Sequence, residues 1–139
     1  MWLLTVTLLT GCVGPSGHLY PIQGPLAAQT PLPIYPLKVS IVEGTITTTL
    51  QNGEVCQGRW SMLPPDNPAS NAMSAQWDAV YGQGFFIAHI LGKTGLSSGI
   101  ATGPQGTTLN VEIYGPDLAN ANLSGVAQDN RGNIYKLTF

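Results

Sequence analysis

At 139 residues the chain suits one domain with room for a core. Only 9% of its residues are charged, against about 25% in ordinary soluble domains, and the net charge is −2. No basic cluster occurs, which argues against a nucleic-acid partner, because neutralising phosphates takes grouped Lys and Arg. Thr, Ser, Asn and Gln fill the polar positions, and 17 Gly and 11 Pro punctuate the chain, a mixture suited to an exported β-rich protein.

The first element is an uncharged apolar run from Trp2 to Leu9. It is too short to span a bilayer, which takes about 20 apolar residues, and has the length of a signal-peptide core. It ends in Leu9-Thr10-Gly11-Cys12. That ending resembles the lipobox of bacterial lipoproteins: Leu three before the Cys, a small residue, Gly, then Cys. The resemblance implies a signal peptide over 1–11, cleavage between Gly11 and Cys12, and a diacylglycerol on the Cys12 thiol. Val13 after the cysteine, in place of Asp, resembles the pattern sent to the outer membrane, facing the periplasm. No Lys or Arg precedes Lys38, so the basic start of such a leader is expected upstream of Met1.

Residues 12–36 read as the lipidated cysteine followed by a Pro- and Gly-rich tether, with the folded domain spanning 37–139. Pro15, Pro21, Pro25, Pro31, Pro33 and Pro36 forbid helix and remove ladder donors. Leu32 to Tyr35 is apolar enough to pack against the domain.

From Lys38 the period is two. Strands are expected at Lys38–Val42, Thr45–Leu50 and Val55–Leu63, the last two joined by Asn52-Gly53, a strong hairpin signal. On the third, Cys56, Gly58, Trp60 and Met62 share a face, which predicts a packed core thiol at Cys56. After Pro64-Pro65 a short helix is expected from about Ala72 to Tyr81, capped by Ser70 or Asn71 and ended by Gly82. Its Met73, Trp77 and Val80 form one apolar stripe, read as a lid on a sheet. Phe85–Leu91, Leu96–Thr102, Thr107–Tyr114, Leu123–Gln128 and Asn133–Phe139 read as further strands. The expectation is a mainly β fold: a small antiparallel barrel or sandwich of seven or eight strands with one short helix.

Groups that do chemistry are sparse. His18, His89 and Cys56 lack metal-ligand spacing, so neither a metal nor another cofactor is expected. Glu43, Glu54, Asp66, Asp78, Glu112, Asp117 and Asp129 stand singly, most in or beside turns. A hydrolytic reading would rest on Asp78 orienting His89 as a base, without a nucleophile in evidence. An enzyme is therefore not expected.

Gly17 to Leu26, with Gly53-Glu54-x-Cys56-x-Gly58-x-Trp60, resembles small uncharacterised envelope lipoproteins of proteobacteria. That resemblance carries no activity with it. The leading expectation is a membrane-anchored envelope lipoprotein acting as a non-enzymatic binding or structural module, with an envelope protein as partner. The alternative is a carrier holding a small hydrophobic ligand inside the barrel, lined by Trp60, Tyr114, Tyr135 and Phe139. That alternative requires an apolar cavity of about 300 Å³.

Overall fold

Alternation of apolar and polar residues along each strand becomes the two faces of a closed sheet. The computed structural model describes residues 14–115 and 122–139. The leader, its cleavage point and Cys12 lie outside the described residues.

Eight antiparallel strands form a barrel in which each pairs with its sequence neighbour and the last pairs with the first. They are β1 (Ser16–Gln23), β2 (Tyr35–Ser40), β3 (Thr45–Thr49), β4 (Val55–Met62), β5 (Leu96–Thr102), β6 (Thr108–Tyr114), β7 (Ser124–Asp129) and β8 (Ile134–Thr138). Closure leaves no free edge, which suits strands carrying few charges to guard one. Leu19, Leu37, Val39, Ile46, Cys56, Ala101, Leu109, Val111, Ala127 and Leu137 meet inside as one core. Lys38, Gln57, Arg59, Asn110 and Lys136 point the other way. An apolar inside and a polar outside is the reverse of a membrane-spanning barrel. Among the described residues no helix is long and apolar enough to cross a membrane.

The barrel and its strand count match the expectation, but two elements exchange places. Over its described residues, 14–36, the expected tether is not a spacer, and the domain does not begin at 37. Its residues Ser16–Gln23 are β1, paired with both β2 and β8. Leu19 is fully buried there, because Gly17, Leu19 and Pro21 alternate inward like any strand face. Pro21 is tolerated at a register shift between β1 and β8, where a ladder donor is not needed.

Conversely, Phe85–Leu91 is not a strand. Phe85–His89 is a short helix, α2, following α1 (Ser74–Tyr81). Gly82 and Gly84, at φ of 116° and 84°, make the bend between them. Met73, Trp77, Phe86, Ile90, Leu96 and Val126 form a second core between this helical insert and the outer barrel wall. α1 begins behind Met73 with no side-chain cap, so neither Ser70 nor Asn71 caps it as expected; both lie in the preceding 3₁₀ turn Pro68–Asn71, which Asn67 caps by accepting from the Ala69 amide.

The barrel therefore has two unlike ends. One end carries Gly14, the first described residue, with the β2–β3 turn, the departure and return of the helical insert, and the ends of β6 and β7. The other end, the mouth, carries the β1–β2, β3–β4, β5–β6 and β7–β8 connections.

Candidate functional site

The mouth is built around two buried carboxylates that sequence reading took for ordinary solvated turn residues. Asp129 closes β7, and its two oxygens gather four donors. Oδ1 accepts from the backbone N–H of Arg131 at 2.8 Å and of Asn133 at 3.0 Å. Oδ2 accepts from Asn133 Nδ2 at 2.9 Å and from the Tyr135 hydroxyl at 2.7 Å. The hairpin Asp129-Asn130-Arg131-Gly132 permits this because Gly132 takes a positive φ, folding the chain back over the carboxylate. Asn133 Oδ1 in turn accepts from the Leu26 amide at 2.9 Å, pinning the β1–β2 connection over the opening.

Glu54 performs the same service one hairpin away. It follows the Asn52-Gly53 turn and reaches across to the β5–β6 connection. There Oε1 accepts from the Thr107 hydroxyl at 2.6 Å, and Oε2 from the Gln105 amide at 2.7 Å. The Thr107 hydroxyl holds the Glu54 carboxyl below its usual range, with the backbone amides and nearby Arg131 adding to this against the opposing effect of burial. The sign follows: this stabilisation is present above the ordinary carboxylate range and is lost as pH falls through the lowered value. Asn130 joins the two systems, donating to Gly106 O at 2.9 Å and accepting from the Thr108 amide at 3.1 Å.

Between these networks lies an open recess of about 310 Å³, lined by Leu26, Tyr35, Leu50, Asp129, Arg131 and Tyr135 among others. Burial, and after it Asp129, raises the Tyr135 phenol, while burial leads the rise at Tyr35. Both hydroxyls therefore stay protonated across the physiological range. Exposed Arg131 supplies the positive charge at the rim. The recess is of mixed character: Leu26, Leu50 and the buried Tyr35 and Tyr135 line it, and the exposed Gln51, Asn52 and Arg131 stand at its rim. Its carboxylates are already filled with donors.

Of the residues expected to line a ligand pocket, Trp60, Tyr135 and Phe139 pack with the interior core and Tyr114 packs outside it, against the helical insert. Tyr135 stands at the mouth. Trp60 stands toward the opposite end, where its indole N–H donates to Ser40 O at 3.0 Å. The structure does not bring the four together. The void beside Trp60, Val39 and Ile113 holds about 10 Å³, roughly one water-sized probe, so the interior is filled by its own side chains.

Asp78 and His89 are not brought together as a catalytic pair either. Asp78 accepts from the amides of Gly84 at 3.1 Å and Phe86 at 2.9 Å, which makes it the cap of α2. His89 tilts against Phe85 at 4.6 Å between ring centres. Cys56 is free and fully buried, and burial raises its thiol, as a core residue requires. Among the described residues no group of three or more His, Cys, Asp or Glu is placed to hold a metal.

One more buried acid lies on the outer wall. Glu112 faces outward from β6 and is sealed under the insert, accepting from Trp77 Nε1 at 2.8 Å. Burial raises its carboxyl from 4.5 to about 7, against the pull of the Trp77 bond. Its folded value exceeds its unfolded one, so its stabilisation is complete below about pH 4.5 and is lost as pH rises to about 7. Glu112→Gln keeps an acceptor for Trp77 and removes the ionisation. The variant should gain up to about 3 kcal/mol relative to the parent between pH 5 and pH 8 in urea unfolding. Parallel pH profiles for the two proteins would show that Glu112 does not titrate in this way.

Comparison with protein-family models, with curated proteins and with solved structures returned no match.

Proposed function

We propose that this protein is a lipid-anchored, non-enzymatic binding module of the bacterial envelope, on the outer membrane and facing the periplasm. Cys12 holds it to the membrane, and the barrel mouth meets the partner, an envelope protein or a small polar molecule. The observation that carries this reading is the built recess at the mouth: Asp129 and Glu54 rigidify four connections around an opening lined by Leu26, Leu50 and buried Tyr35 and Tyr135, with exposed Arg131, Gln51 and Asn52 at its rim. A preorganised opening loses little freedom on binding, which favours recognition. The Leu9-Thr10-Gly11-Cys12 ending supports the anchorage. A ligand held deep in the barrel beside Trp60 has less support, because the void there is about 10 Å³; the mouth recess of about 310 Å³, which Tyr135 helps line, is the space a small ligand would take.

Two measurements test the reading. Mass spectrometry of the mature amino terminus should find acylated Cys12; an unmodified Cys12 behind a retained leader removes the anchor. A photo-crosslinker at Gln51 in expressing cells should capture a discrete partner, and Arg131→Ala should reduce that yield several-fold. Equal yields from Gln51 and from Gln57 on the outer wall would remove the mouth as the binding surface.

A further inference from the structure

Where the domain begins decides how close it sits to any anchor. Had 13–36 been a spacer, the barrel would stand away from the membrane; with β1 starting at Ser16 it cannot. Pro15 O accepts from Val39 N at 3.1 Å, and Gly14 lies against the backbone of Val39 and Ile41. Cys12 is two residues before Gly14, so its Cα lies within about 7 Å of it by chain geometry alone. Lipid on Cys12 therefore enters a bilayer beside the β2–β3 turn.

That turn has the chemistry of a membrane contact. Val42 at its tip is 73% exposed and Ile41 is 41% exposed, while Met62 at the same end of the barrel is 54% exposed. Two cations stand beside it. Lys38 is exposed on β2 opposite Ser16 and Thr47, and Arg59 is exposed on β4 opposite Thr45, the first residue of β3. Glu43 is the acid on the turn itself. The tip is also held in place. The Trp60 amide donates to Gly44 O at 3.0 Å, the Trp60 indole to Ser40 O at 3.0 Å, and the Glu43 amide to Ser40 Oγ at 3.1 Å. A rigid apolar tip with flanking cations offers a partner both burial and charge, and an anionic bilayer meets both.

We infer that the Ile41–Gly44 turn, with Lys38 and Arg59 beside it, seats directly on an anionic phospholipid surface. The barrel then stands on its end with the mouth directed away from the membrane. This inference rests on lipidation of Cys12 and adds a second, protein-borne contact to it. The two chains of a diacylglycerol already anchor stably, so this contact fixes the barrel's orientation on the bilayer rather than its attachment.

The test uses the acylated protein purified from expressing cells, its Cys12 mass verified first. Val42→Cys and Asn52→Cys variants carry an environment-sensitive label and are placed on vesicles of phosphatidylethanolamine and phosphatidylglycerol. Buried Cys56 stays unlabelled in the folded protein. The Val42 label should shift to the blue and be quenched by iodide about threefold less than the Asn52 label. On pure phosphatidylcholine, or with Lys38→Gln and Arg59→Gln together, that protection should fall. Acylated protein whose Val42 and Asn52 labels are quenched alike overturns the seating and leaves the anchor standing. Undiminished protection on phosphatidylcholine overturns the part played by the cations. A Cys12 without lipid overturns the anchor, and the seating with it.

Discussion

Replacing Trp77 with Ala should lower stability by about 4 kcal/mol and open the helical insert before the barrel. Trp77 is fully buried at the centre of the second core. Its ring stacks at 5.5 Å on Tyr81 and at 6.1 Å on Phe85, so truncation leaves a large cavity with little to fill it. The same change takes the indole donor from Glu112, leaving a buried carboxyl short of a partner. The insert has few other ties to the wall: the Tyr81 hydroxyl bridges the Gly125 amide and carbonyl at 3.1 Å, and Gln76 donates to Gln128 at 2.6 Å. Hydrogen exchange should therefore show α1 and α2 losing protection while β1–β8 keep theirs, together with a lowered urea midpoint. Trp77→Phe separates the two effects, keeping most of the volume and losing the hydrogen bond, with an expected loss of about 1–2 kcal/mol. Uniform loss of protection across insert and barrel would show that the second core does not open as its own unit.

Asp129→Ala should cost about 3 kcal/mol and disorganise the mouth. Four donors lose their acceptor at once, and three of them, the Asn133 amide, Asn133 Nδ2 and the Tyr135 hydroxyl, belong to buried residues. Asn133 also positions Leu26, so the loss travels to the β1–β2 connection. Asp129→Asn retains the shape but turns one acceptor into a donor facing Asn133 or Tyr135. It should fall between the parent and the Ala variant. Chemical denaturation orders the three proteins, and an Asp129→Ala variant as stable as the parent would show the network to be without consequence. Tyr35 and Tyr135, tilted at 6.4 Å between ring centres, should then lose their fixed orientation, and crosslinking from the mouth should weaken with them.

Most of the barrel was legible in the sequence because burial of one strand face writes a period of two into the chain. Thr45 to Thr49, Thr107 to Tyr114 and Asn133 to Phe139 show it, and the Asn-Gly and Asp-Asn-Arg-Gly turns place the hairpins between them. The two exchanged elements show where that signal fails. In β1 the prolines and glycines around Leu19 outweigh a short alternation, and a strand beside a register shift tolerates a proline that a central strand would not. In α2 the run Phe85-Phe86-Ile87 is short and apolar, which strand and helix share. A signal for the helix was present: Trp77, Tyr81, Phe85 and His89 recur every four residues, the first three packing ring against ring across the glycine bend and His89 tilting on Phe85. The mouth was less legible still. Asp129 and Glu54 look like solvated turn acids until closure brings hairpins from distant parts of the chain over them.

By itself the sequence determined a β-rich chain of antiparallel neighbours, a core thiol at Cys56, and a lipobox-like ending at Cys12. Each of these is a local pattern, readable from residues close together in the chain. Only the tertiary structure decided that β1 pairs with β8, which turns a meander into a barrel and leaves its interior full. Pairing across more than a hundred residues depends on strand twist and register, which no short window of sequence contains. The same closure buries Glu54 and Asp129, gathers the mouth, and brings Gly14 down beside the apolar tip of the β2–β3 turn, while the helical insert seals Glu112 on the outer wall.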